Sequence, residues 1–162
     1  MILGSFTVLV LLRAAAVASV DCSAVGPSAA AWPVMQTAVF AMQIPPGYKY
    51  EPIDTRGGLA GRWVRRTGKG QSSIGFFLGV RFKAQSEGVA SSCHETIHGQ
   101  QTRIETGIGP AGRYFVRAEW LRPQGSHENW YLVVSADAVD PGEQLESLSA
   151  IRTIEVKGGN AR

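Results

Sequence analysis

The segment Ser92-Cys93-His94-Glu95-Thr96-Ile97-His98-Gly99 gathers much of the chain's reactive chemistry. It holds two of the three histidines and one of the two cysteines. His94-Glu95-x-x-His98 has the spacing of a zinc-peptidase site, where two histidines bind the metal and the glutamate activates a metal-bound water. That chemistry needs a helix, because only there do residues four apart share a face, about 5–6 Å from one another. It also needs a third ligand, and Glu119 is the downstream carboxylate available for it.

The local sequence reads instead as a β-hairpin. A helix here would carry β-branched Thr96 and Ile97, would meet Gly99 directly after His98, and would have no apolar stripe. With His98-Gly99 as a two-residue turn, Ile97 faces Gln100, Glu95 faces Thr102, His94 faces Arg103 and Cys93 faces Ile104. Cys93, Ile97 and Ile104 then share one face, and His94, Thr96, Gln101, Arg103 and Glu105 the other. Glu95 is the misfit, a carboxylate on the apolar side. On a strand the two histidines lie about 13 Å apart, too far to share one ion. Glu119 lies at a spacing similar to that of the glutamate ligand of thermolysin-like peptidases, but in a segment that reads as a strand. The longer metzincin-type pattern wants glycine and histidine where this chain has Gln101 and Ile104. A continuous helix from Ser91 to His98 would restore the zinc reading.

Other clusters are candidates for binding. Arg62, Arg65, Arg66 and Lys69 around Trp63 form the densest positive patch, a contact for an acidic partner or an ordinary solvated turn. Phe77, Phe115, Tyr131 and Val133 fall on the side of their strands opposite the main apolar rows. They would need a cover or a partner if a helix protects only one side of the sheet. His127 sits in a polar loop. No serine lies in a Gly-x-Ser-x-Gly elbow and no glycine-rich segment has the phosphate-binding pattern.

The elements that position these residues are mostly strands. Phe40, Met42 and Ile44 alternate ahead of Pro45-Pro46-Gly47, which stops the strand. Ile74, Phe76, Leu78, Val80 and Phe82 alternate with Gly75, Phe77, Gly79, Arg81 and Lys83 in the clearest strand of the chain. Residues 61–66, 114–121 and 130–135 add further strands, and short polar turns between them predict an antiparallel meander. Residues 48–59 show no clear period. Asp140-Pro141-Gly142-Glu143 starts a helix, with an N-cap acid, proline at N1 and glutamate at N3. Leu145, Leu148 and Ile151 give it a narrow apolar stripe. Ile154 and Val156 mark a final short strand. The expected class is α+β: one antiparallel sheet with the C-terminal helix packed on one face, as a single domain.

At the start, residues 2–12 are nearly all apolar, and Arg13 and a run of small residues follow. This reads as a signal peptide over residues 1–18, too short to span a membrane, where about 20 apolar residues are needed. The protein is then exported, periplasmic or secreted, and a lipid anchor on Cys22 is the weaker alternative because Asp21 precedes it. Residues 19–36 read as a flexible N-terminal arm, 37–157 as the domain and 158–162 as a frayed tail. The net charge of +3 falls to +2 once Arg13 leaves, too small to suggest nucleic acid. In an exported chain Cys22 and Cys93 invite a disulfide, which would close a loop of about 70 residues. The other reading has Cys93 as a buried apolar residue and Cys22 free, lipidated or lost in processing.

The layout from Ala38 to Val156 resembles the small α/β sandwich domains of the Mog1/PsbP-like type. It has a first strand ending Ile44-Pro45-Pro46-Gly47-Tyr48, a meander, then strand, capped helix and short strand. It departs from them after Tyr48, where those domains place a helix. The resemblance implies a non-enzymatic scaffold that binds a protein partner in an immunity or accessory role. It carries no cofactor and no catalytic residues. The rival function is a small zinc-dependent peptidase using His94, Glu95 and His98.

Overall fold

Alternation along the chain is converted into two antiparallel sheets and one helix in the computed structural model, which describes residues 18–55, 58–80, 87–120 and 130–157. The strands are β1 (Val34–Gln36), β2 (Phe40–Gln43), β3 (Lys49–Pro52), β4 (Gly58–Thr67), β5 (Gly70–Val80), β6 (Val89–Ile97), β7 (Gln100–Ile108), β8 (Tyr114–Trp120), β9 (Trp130–Ala138) and β10 (Glu155–Val156). Helix α1 spans Pro141–Ile151. Most of the expected leader, the expected tail and His127 lie outside the described residues.

Seven strands form the large sheet in the order β3-β4-β5-β9-β8-β7-β6. Every neighbouring pair in it is antiparallel. Sequence order breaks once, between β5 and β9. The first three strands make one consecutive set and the last four, run backwards, make another. The small sheet has the order β1-β2-β10, so the first and last parts of the described chain pair with each other. β3 occupies the stretch that shows no period. It is an edge strand ending at Pro52, where a missing N–H disturbs no ladder.

One face of the large sheet is the core face. Phe76 lies opposite Val134, Val134 opposite Ala118, Ala118 opposite Ile104, and Ile104 opposite Cys93. Phe40 and Met42 from the small sheet, Ile44 just after it, and Leu148, Ala150 and Ile151 from α1 cover this row, all fully or almost fully buried. The Phe40 ring meets Phe76 edge-on, with centroids 5.0 Å apart and planes at 85°. Each such side chain contributes about 1.5–3 kcal/mol by leaving water.

The helix starts as its sequence dictates. Asp140 has extended backbone and accepts the Glu143 N–H at 2.9 Å, with Pro141 in the first turn. Glu143 accepts the Val139 N–H at 3.3 Å and the Ser72 hydroxyl, which fastens the first turn to β5. The β6–β7 hairpin has the expected register, from Ile97 opposite Gln100 to Cys93 opposite Ile104. Its turn places His98 at φ 45° and Gly99 at φ 79°, the doubly left-handed pair of a type I′ turn.

Candidate functional site

The hairpin decides the fate of the His-Glu-x-x-His residues. His94 is on β6 and His98 is in the turn, so they do not lie on one helical face. His94 is exposed on the outer side of the sheet, opposite Arg103, and Glu119 lies opposite the same arginine on β8. Glu95 points to the inner side. There Arg152, the residue that caps the C-terminus of α1, donates to it from Nε at 2.9 Å and from a terminal nitrogen at 2.5 Å. The three candidate zinc ligands and the candidate base are thus distributed over two faces and a turn. Among the described residues no group of three or more His, Cys, Asp or Glu side chains converges so as to hold a metal ion.

Cys22 and Cys93 are paired, with Cα atoms 6.1 Å apart and a sequence separation of 71. Cys22 is buried. A loop of that length is worth about 4 kcal/mol in the chain-entropy picture.

The cationic patch separates into three ion-paired groups. Glu51 on β3 meets both Arg62 and Arg66 at 3.0 Å. Those hydrogen bonds, Arg66 first and Arg62 with it, lower the Glu51 pKa. Arg65 points to the opposite side, over the Tyr48 ring at 4.8 Å, and reaches Glu146 at 2.8 Å and Glu143 at 3.1 Å. Lys69 meets Asp140 at 2.8 Å. Each cation has a carboxylate, so the patch is not a uniform positive field. Burial pushes the Tyr48 hydroxyl up to about 12 against an opposing effect of Arg65. Ser147 lies alongside, but the Tyr48 hydroxyl makes no hydrogen bond of normal geometry.

The outer face of the large sheet holds Phe77, Phe115, Tyr131 and Val133, all half-buried. Two of these rings lie across glycines on the neighbouring strand. A β-carbon on Gly58 would come within 2.8 Å of the Phe77 ring, and one on Gly107 within 2.7 Å of the Phe115 ring. The glycines let the rings lie flat, a device that restores cover over bare backbone. Between them runs a charge ladder: Arg103 opposite Glu119, Glu105 opposite Arg117, and an ion pair between Arg103 and Glu105. An open recess of about 250 Å³ on this side is lined by Phe115, Arg117, Ser135, Asp137 and Glu87. The helix and the small sheet lie on the other face.

Two residues of this geometry, Arg152 and Asp137, were not singled out by sequence. The misfit of Glu95 was the available signal for Arg152, because an inward carboxylate needs a cation. No protein-family profile matches the chain, and no curated protein matches it in sequence.

Proposed function

We propose that this chain is an exported, non-enzymatic binding domain that docks a protein partner on the outer face of its seven-stranded sheet. The observation that carries the reading is the group Phe77, Phe115, Tyr131 and Val133, half-buried on the face opposite α1 and set among Arg62, Arg103 and Arg117. Aromatic residues and arginine are the types enriched where one protein surface covers another. Export is supported by the Cys22–Cys93 pair, since such bridges persist in oxidising compartments. Among the described residues no helix is long and apolar enough to cross a membrane. A bridged Cys22 has no thiol left to carry a lipid, so the reading does not include a lipid anchor there.

A photo-crosslinking amino acid placed at Phe77 or Tyr131 tests this, with Glu155 on β10 as the control position. The expected result is one discrete adduct at the outer-face positions in the exported fraction, absent at position 155 and lost on adding Phe115→Ser. Equal labelling at all three positions, or adducts indifferent to Phe115→Ser, would remove the support for this face.

A further inference from the structure

Residues 19–26 lie between α1 and the β6–β7 hairpin, on the opposite side of the sheet from the proposed docking face. They hold on through main-chain groups. The Val20 N–H donates to Gln144 Oε1 at 2.8 Å, and the Val20 carbonyl accepts from Thr106 Oγ1 at 2.6 Å. The Cys22 N–H reaches Ser91 Oγ at 3.3 Å. Arg152 donates to the Cys22 carbonyl at 2.7 Å and to the Ala24 carbonyl at 2.5 Å. Burial alternates along the segment: Val20, Cys22, Ala24 and Gly26 are buried or half-buried, and Asp21, Ser23 and Val25 are exposed. At Gly26 an added β-carbon would stand 2.7 Å from the Leu145 carbonyl oxygen, so the last inward position admits only glycine without movement.

The groove facing this segment is itself organised for main chain. Gln144 is fully buried, and its amide nitrogen also donates to the Phe115 carbonyl at 2.8 Å, which fixes the direction in which Oε1 points. Arg152 is fixed on its other side by Glu95. Such fixed polar groups read the main chain of a segment that turns once, where the Ala24 N–H donates to the Asp21 carbonyl at 3.0 Å, and that places small side chains inward. Ser91 Oγ also donates to the outward Asp21 carboxylate at 3.0 Å. The single covalent hold on the segment is the Cys22–Cys93 bridge.

We propose that residues 19–26 are a strap that fills a peptide-binding groove in cis, and that the Cys22–Cys93 disulfide is its latch. A dithiol opens the latch by thiol–disulfide exchange. It delivers two electrons and two protons, the S–S bond breaks, both cysteines become thiols, and the dithiol closes to its own cyclic disulfide. The freed groove, lined by Thr106, Gln144, Arg152 and Glu95, then accepts a peptide that makes the same single turn and has small residues at the inward positions. This is independent of the outer-face reading, because it uses the other side of the sheet.

Hydrogen exchange on the oxidised protein, before and after treatment with dithiothreitol, tests the latch. On reduction the Val20 and Cys22 amides exchange at least about tenfold faster, because the tether that held the strap against local opening is gone. The amides of β8 and β9 stay protected. Cys22→Ser shows the same pattern without reductant. A labelled peptide spanning residues 18–26 and carrying Cys22→Ser binds the reduced protein and not the oxidised one, and Arg152→Met weakens that binding at least about tenfold. The proposal is overturned by a strap still protected after reduction, or by loss of β8 and β9 protection together with it. Peptide binding that is the same in both redox states, present or absent, also overturns it.

Discussion

Glu95 and Arg152 meet in a two-bond carboxylate–guanidinium contact, at 2.9 and 2.5 Å, that joins the edge strand of the large sheet to the end of the only helix among the described residues. Both side chains are about three-quarters buried, with 27% and 24% exposure. Removing the cation leaves a carboxylate on an inner face and takes the donor from two carbonyls. Arg152→Met should therefore cost about 2 kcal/mol, read as a lower urea midpoint with unchanged slope. Glu95→Gln should cost less, because the amide still accepts one bond. A double-mutant cycle should return a coupling of about 1 kcal/mol, and a coupling near zero would show that the contact carries no energy.

The turn of the hairpin makes a prediction of opposite sign. His98 holds φ 45°, a conformation asparagine adopts more readily than histidine, ahead of Gly99. His98→Asn should raise stability by about 0.5 kcal/mol, seen as a higher melting temperature. The same change removes one histidine of the zinc-like spacing. If it abolished an activity without altering stability, the zinc reading would return.

Asp140 combines two roles that substitution separates. As N-cap it satisfies the Glu143 N–H, so Asp140→Ala should cost about 1 kcal/mol. Asp140→Asn keeps an accepting oxygen and loses the ion pair to Lys69, which is an exposed contact of small value. Lys69, helped by that N–H, holds the Asp140 carboxyl below its usual range. The stabilisation it gives is present above about pH 4 and is lost as the pH falls through the depressed pKa. Acid titration of stability should show this slope in the native chain and not in Asp140→Asn.

Tyr48 governs the alkaline limb. In the unfolded chain its hydroxyl gives up a proton near pH 10.0, and in the folded chain near 12, because burial disfavours the phenolate. Between those values the unfolded state holds fewer protons, so stability falls as pH rises through that window. Tyr48→Phe should flatten this limb with little loss at neutral pH, since the hydroxyl has no hydrogen bond to lose. Unfolding followed by circular dichroism from pH 9 to 12 measures it. An unchanged alkaline slope in the variant would assign it to other groups.

The strands with large alternating side chains were legible from sequence, as β5 with Ile74, Phe76 and Leu78 illustrates, because the pleat itself has period two. The hairpin was legible because His98-Gly99 supplies a turn and fixes every pair behind it. The helix start was legible because capping chemistry is local. β1 and β3 were not, being short edge segments with little contrast between faces. The neighbourhood of β5 and β9 is set by packing between distant strands, which no local pattern encodes. Arg152 lies 57 positions from Glu95, so the misfit was visible and its partner was not. In residues 19–26 the inward side chains are small and an outward one, Val25, is apolar and 91% exposed, so hydropathy masks the alternation.

The adjacency of β5 and β9 also has a kinetic side. The strands on either flank zip from their own turns, across Thr67 to Gly70 and across His98-Gly99, with little loop to close. Joining the two halves requires Ser73 to find Asp137 and Val80 to find Trp130, across all of β6, β7 and β8. Within the large sheet that encounter carries the longest loop closure, which must be met before any central contact rewards it. The middle of the large sheet is thus held by that sheet's longest-range pairing, and the small sheet depends on a longer one still, between Phe40 and Val156.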